Sequence, residues 1–392
     1  MKKETNTTAL GDLVDLVMGQ APPSKDTNFE GRGTPFVKVG EFGAIRPVIR
    51  EWTTNPLRMA RPTDVLLCVV GATCGKINLG EDCAIGRSVA AIRPHPTKLD
   101  QFYLHYFMMT LVERLRSGSV GAAQTVISKE MVETVQIPVP PLAEQQRIVG
   151  LLDEAFEGLA TAKTNAEKNL QNARALFESH LQSVFTQRGN GWKATTLGPE
   201  INLLAGFAFK SAQYTSDDDD IRLLRGDNII QGCLRWDDVK RWPADDTGDY
   251  VRYQLEEGDV VLAMDRPWVK AGLKHATISA DDLPCLLVQR TARLRGGANL
   301  DNRFLKLLIG SSAFTGHILG VQTGIGVPHI SGQQIKDFEF ARPPLAEQRR
   351  IADNLESLRE ETQRLARIYE RKLAALSELK KSLLHQAFTG EL

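Results

Sequence analysis

The stretch "PPLAEQQRI" at residues 140–148 returns as "PPLAEQRRI" at 343–351, and each copy opens a long charged and leucine-rich segment. The offset of 203 holds without a gap from 121–186 over 324–389, so "SVFT" ending at Thr186 sits over "QAFT" ending at Thr389. Upstream the match is looser and the offset drifts: "LGDLVDLVMGQAPPS" (10–24) resembles "LGPEINLLAGFAFKS" (197–211), and "DVLLCVVGATCGK" from Asp64 resembles "DVVLAMDRPWVKAG" from Asp259. A chain written this way is a tandem repeat, each half a variable globular region followed by a rigidly spaced segment.

The spaced segments read as helices. From Leu142 the apolar residues fall at Ile148, Leu152, Ala155, Leu159, Ala162, Ala166, Leu170, Ala173, Phe177, Leu181 and Val184, a 4-3-4-3 spacing that marks one stripe of a helix. The second copy repeats it from Ile351 to Ala387, with Thr362 and Lys380 as polar interruptions. Pro140-Pro141 and Pro343-Pro344 suit a helix entrance, and Glu144 and Glu347 fall in first turns, where the helix dipole favours an anion. A helix of about 45 residues is roughly 68 Å long and cannot keep one apolar stripe in water. The expected partner of each helix is its own copy, paired antiparallel.

The globular halves carry short β-branched runs, such as "TPFVKVG", "DVLLCVVG", "IRLLRG" and "DVVLAMD", divided by Gly, Pro and Asp, hence mostly strands. Residues 99–118 and 300–319 read as one amphipathic helix each. The expected fold class is therefore α/β: two mixed α/β domains in tandem, each followed by a long helix, with pseudo-two-fold symmetry.

Charge leaves the partner open, because Lys+Arg and Asp+Glu are equal at 48 each. Neither half is strongly basic: 16 basic against 14 acidic residues over 1–136, and 17 against 20 over 192–339. Five scattered cysteines lack metal or redox spacing and read as reduced, buried thiols. The N-terminal "MKKETNTTALGDL" has no apolar run behind its lysines, so a soluble, cytoplasmic protein without a membrane partner is expected. "GATCGK" (71–76) is one residue short of a phosphate-binding P-loop, and Ile77 stands where Ser or Thr is needed. "DDDD" at 217–220 reads as a solvated insertion, and no histidine constellation suggests catalysis or metal.

The two motifs "PPLAEQQRIVGLLDE" and "PPLAEQRRIADNLES", with the closing "LKKSLLHQAFTGEL", resemble the specificity subunits of type I restriction-modification enzymes over the whole chain. The resemblance implies a target-recognition domain at 1–138, a central spacer helix at 139–188, a second recognition domain at 189–341 and a C-terminal spacer helix at 342–392. It implies that each domain reads half of a bipartite, asymmetric site on double-stranded DNA and that the helices fix the gap. Two methyltransferase subunits would dock on the helices, with restriction and translocation subunits outside them. The chain itself would be non-catalytic and without cofactor; S-adenosylmethionine would belong to the methyltransferase partner, ATP and magnesium to the restriction partner. A coiled-coil tether for proteins and a nuclease with an unrecognised site are the competing readings.

Recognition domains diverge with their targets, so DNA contacts are read from chemistry alone. Arg and Lys beside glycine-rich turns can approach bases and phosphates. They are Lys38, Lys76 and Arg87 in the first half, and Arg225, Arg266, Lys270 and Arg290 in the second. Trp268 could pack on a sugar or base, or in a core. The repeated polar set Glu144, Gln145, Arg147 and Glu347, Gln348, Arg350 is expected to dock a partner, against the plainer reading that it caps and solvates the helix start.

Overall fold

The fold was analysed in a computed structural model, which describes residues 7–117, 126–186, 189–324 and 326–392. Seven α-helices occur in these residues: α1 (Gln101–Ser117), α2 (Lys129–Glu133), α3 (Leu142–Thr186), α4 (Asn302–Ile309), α5 (Ser312–Val321), α6 (Gly332–Lys336) and α7 (Leu345–Thr389). Both long helices begin just after their proline pairs. Part of the repeat, 121–125, and Arg188 of the glycine-rich stop lie outside the described residues.

The chain divides into two compact units that do not follow sequence order. The first holds residues 1–168 and 369–392, the second 169–368, so each takes one part of α3 and one part of α7. In the first unit, Ile148 and Leu152 near the start of α3 share a core with Leu384 and Ala387 near the end of α7. In the second, Phe177 and Leu181 near the end of α3 pack with Ala352 and Leu355 near the start of α7. The two helices therefore run antiparallel in both units, as the stripe requires. The polar interruptions have local causes: the Thr362 hydroxyl donates to the Leu358 carbonyl at 2.8 Å, and the Lys380 ammonium lies 4.8 Å over the Phe156 ring.

Each unit builds the same antiparallel four-stranded sheet. In the first, strands at 14–18, 89–94, 65–68 and 77–79 lie side by side in that order; in the second, 201–205, 291–296, 260–263 and 275–277 do. A buried aspartate ties a central strand to its neighbour in both. Asp64 takes two 2.9 Å bonds from the Arg93 guanidinium, and Asp259 is gripped in the same way by Arg295. A parallel pair stands beside each sheet, 34–37 with 83–85 and 221–224 with 285–287.

Three sequence expectations are corrected. Residues 300–319 form two helices, because Ser311 begins a new one: its hydroxyl accepts the Phe314 N–H at 3.2 Å while Gly310 closes α4. The acidic run is partly tied down, since Asp218 pairs with Arg241 at 2.9 Å and the Asp220 carboxyl is held below its usual range by the Thr215 hydroxyl and the Ala244 N–H. Four cysteines are buried, but Cys233 is exposed.

No single helix among the described residues is long and apolar enough to cross a membrane. The bent pair of α4 and α5 has the length and composition to do so, but it buries Phe304, Leu305, Leu308, Phe314 and Ile318 in the core of its unit.

Candidate nucleic-acid interface and helix anchors

In each unit the candidate cations collect where turns leave the strands at one end. Lys38 follows strand 34–37 and Arg225 follows strand 221–224. Lys76 immediately precedes strand 77–79, and Lys274 holds the same place before 275–277; their carbonyls accept matching bonds, from Cys68 N–H at 2.8 Å and Ala263 N–H at 3.0 Å. Lys274 was missed in the sequence because the second half has insertions that shift the offset; the strand pairing restores the correspondence.

In the first unit the turns of Lys38, Arg87 and Lys76 adjoin. Gly86 N–H donates to Val37 O and Val69 N–H to Ser88 O, both at 2.9 Å. Lys38 is ion-paired with the buried Glu51 and lies 5.6 Å over the Phe36 ring, so it is the most restrained of the three. Arg87 and Lys76 are exposed.

In the second unit the strand 260–263 runs into Asp265, Arg266 and a small hairpin, Trp268–Val269 with Gly272–Leu273. Arg266 (φ +45°) and Arg290 (φ +65°) are the only non-glycine residues with positive φ among the described residues. That conformation costs an L-residue about 1–2 kcal/mol. Backbone bonds hold it: Arg266 N–H to Pro328 O at 2.6 Å, and Met264 N–H to Arg290 O at 2.8 Å. The Arg290 guanidinium pairs with Asp265 at 2.7 Å, while Arg266 and Lys270 are exposed. Trp268 is 39% exposed, so its ring is available rather than core. Arg225 pairs with Asp238 at 3.1 Å, leaving its Nε buried without a partner. Burial lowers the pKa of the Lys274 amine; Asp227 opposes this, and Arg266 and Arg235 reinforce it.

The doubled helix motif has a different role from the one expected for two of its members. Gln145 and Gln348 are completely buried, which removes them from any docking surface. The Gln145 Oε1 accepts the Asp100 N–H at 2.8 Å, and its Nε2 donates to the Lys98 and Pro140 carbonyls at 2.9 and 2.8 Å. Gln348 does the same with Asp301 N–H at 2.9 Å and the Asn299 and Pro343 carbonyls at 2.9 and 2.8 Å. Asp100 and Asp301 cap α1 and α4, their carboxylates accepting from Phe102 and Tyr103 N–H and from Arg303 and Phe304 N–H. One glutamine thus fastens the start of each long helix to the start of a domain helix. Glu144 with Arg147 (2.7 Å) and Glu347 with Arg350 (3.5 Å) form surface pairs beside it, and Arg147 also donates to the Leu392 carbonyl at 3.1 Å.

Comparison with known proteins bears on these two frames. Residues 2–170 match the family model for the type I restriction modification DNA specificity domain. The type I restriction enzyme MjaVIII specificity subunit of Methanocaldococcus jannaschii is 24% identical across 98% of this chain and 92% of its own length. Residues 2–170 thus resemble a type I DNA specificity domain, and nearly the whole chain is similar to type I specificity subunits. A second relative, the EcoAI specificity subunit of Escherichia coli, is 42% identical over 169 residues, 43% of this chain and 28% of that protein. The fold agrees with the family: the HsdS subunit of Thermoanaerobacter tengcongensis superposes with a TM-score of 0.65 at 17% identity, covering 99% of this chain and 97% of that one. A chain from a solved type I R-M system reaches 0.78 at 18% identity, covering 99% and 98%. Among the described residues no group of three or more His, Cys, Asp or Glu could hold a metal ion.

Proposed function

We propose that this protein is the DNA-recognition and scaffold subunit of a type I restriction-modification complex. In this reading 1–138 and 189–341 are recognition domains, each taking one half of a bipartite, asymmetric DNA target. The spacer helices, 139–188 and 342–392, fix the gap and dock two methyltransferase subunits, outside which restriction and translocation subunits join. The chain performs no chemistry itself; S-adenosylmethionine serves the methyltransferase, and ATP with magnesium the restriction subunit.

The observation that carries the reading is the repetition of one frame with unlike turns. Both units present cations at the same sheet end, Lys38, Lys76 and Arg87 in one and Arg225, Arg266, Lys270, Lys274 and Arg290 in the other, but the loops that bear them differ. Two similar frames with different readers suit two half-sites of different sequence. Two readers on a rigid spacer favour half-sites about one helical turn, roughly 34–36 Å, apart. Similar docking surfaces on two helices suit two copies of one partner. The surface pairs Glu144–Arg147 and Glu347–Arg350 remain the candidates for that docking.

The test is binding to a bipartite duplex with the methyltransferase partner present. Retention of the cognate duplex, with loss when either half is scrambled, is expected. Equal binding to all three duplexes would refute recognition.

A further inference from the structure

The second unit contains a cleft that the DNA-reading turns do not use. It lies among α4, the turn 231–233 and the facing parts of α3 and α7, and encloses about 490 Å³. Lys306 and Arg359 stand in its wall, both half-buried. The Arg359 guanidinium lies 4.6 Å over the Phe177 ring, and neither cation has a carboxylate within salt-bridge distance among the described residues. Nearby Glu356 is engaged by Arg303 at 3.3 Å. His275 and Arg174 also line the cleft, and Glu178 is its one acidic side chain.

Desolvation disfavours such an arrangement. Burial is the main cause lowering the pKa of Lys306, Arg359 and His275, and Arg359 further lowers the other two. Buried cations are normally paired; among the described residues these two are offset only beyond salt-bridge distance, Arg359 by Glu178 and Glu356 and Lys306 by Glu356. The counter-charge is therefore expected from outside.

The first unit does not repeat the feature. The residue 201 positions before Lys306 is His105, and the residue 203 before Arg359 is Phe156. The cation there, Lys380, lies over Phe156, and Asp153 accepts a hydrogen bond from Tyr106.

The cleft is continuous with the candidate DNA face. His275 follows Lys274 directly, and the Gln231 amide on the cleft wall donates to the Gly272 carbonyl of the Trp268 hairpin at 3.3 Å. We infer that Lys306 and Arg359 seat a backbone phosphate of the bound DNA, outside the contacts that read bases. This rests on the DNA-recognition reading and adds to it an anchoring site present in one unit only.

The experiment measures the affinity of the full-length protein, with its methyltransferase partner, for a fluorescent duplex across a salt series. Lys306→Gln and Arg359→Gln are each expected to weaken binding about threefold to tenfold. The double variant should lower the slope of log affinity against log salt by about one, with the ratio of cognate to scrambled affinity unchanged. Lys306→Arg and Arg359→Lys, which keep the charge, should keep the slope, and unchanged thermal unfolding controls for damage to the fold. An unchanged slope in the double variant would overturn the site. So would loss of methyltransferase association at unchanged slope, which would assign the cleft to an acidic segment of the partner. If the wild-type protein fails to discriminate duplexes, the proposed function falls, and the slope on non-specific duplex still decides the cleft.

Discussion

The two units differ least where the chain joins sheet to helix and most where it leaves the sheet for solvent. Sheet order, the Asp–Arg clamp and the glutamine anchor recur almost atom for atom, whereas the second unit alone has the Trp268 hairpin and two arginines with positive φ among the described residues. The long helices add an asymmetry of their own. At both ends α3 supplies a ring and α7 a cation, Phe156 under Lys380 and Phe177 under Arg359, although these positions correspond through the 203-residue repeat. A frame of fixed backbone bonds can be duplicated and kept, while side chains facing a partner are free to diverge.

The sharpest way to break this comparison is through the anchors. Gln145→Ala and Gln348→Ala each strand three backbone groups in a buried site, so each should cost about 3 kcal/mol or more. Native-state hydrogen exchange resolves the units separately. Equal losses, each confined to its own unit, are expected; a negligible loss at either site would mean that the anchor is not shared.

The next effect is a pH response that differs at one corresponding position. Burial lowers the His105 pKa to about 4, and its Nδ1 has no partner. Below the ordinary histidine value of about 6.5 the unfolded chain takes up a proton that the folded unit refuses. The first unit should therefore be fully stable above that pH and lose about 3 kcal/mol as pH falls towards 4. His105→Leu should flatten the profile in denaturant titrations. Lys306, the counterpart, has a pKa lowered by burial, so the second unit should gain stability as pH rises in the window below the usual lysine value.

Arg266→Gly tests the divergent turns. It keeps a residue tolerant of positive φ and removes the side chain, so the second unit should be unchanged or slightly more stable. Affinity should fall by about 1–3 kcal/mol for duplexes carrying the intact second half-site. Anisotropy with either half scrambled separates the two; an equal loss on all duplexes would make Arg266 a phosphate contact instead.

The smallest effect concerns the helix pair. Double-mutant cycles on Phe177 with Arg359 and on Phe156 with Lys380 should each give a coupling of about 1 kcal/mol. A vanishing coupling at both would reduce these rings to ordinary packing.

Much of this architecture was legible in the sequence, because a repeat with a helical stripe leaves few alternatives and the β-branched runs coincide with the strands. The burial of Gln145 was not. A polar residue in a first helical turn reads as exposed, and what covers it is a loop some 45 residues earlier, Lys98 to Asp100. The break between α4 and α5 was hidden by an apolar pattern that continues through Gly310 and Ser311. Lys274 was hidden because its placement depends on strand register across insertions. Local rules see local partners, and these residues have distant ones.

In the proposed function the heads set the target's sequence and the helices its spacing. Four residues, about one helical turn, inserted after Lys168 in α3 and after Ile368 in α7 test it directly, with long-read mapping of methylated adenines in cells carrying either form. The same two half-sites separated by a longer gap are expected. An unchanged gap, or altered half-sites, would contradict it.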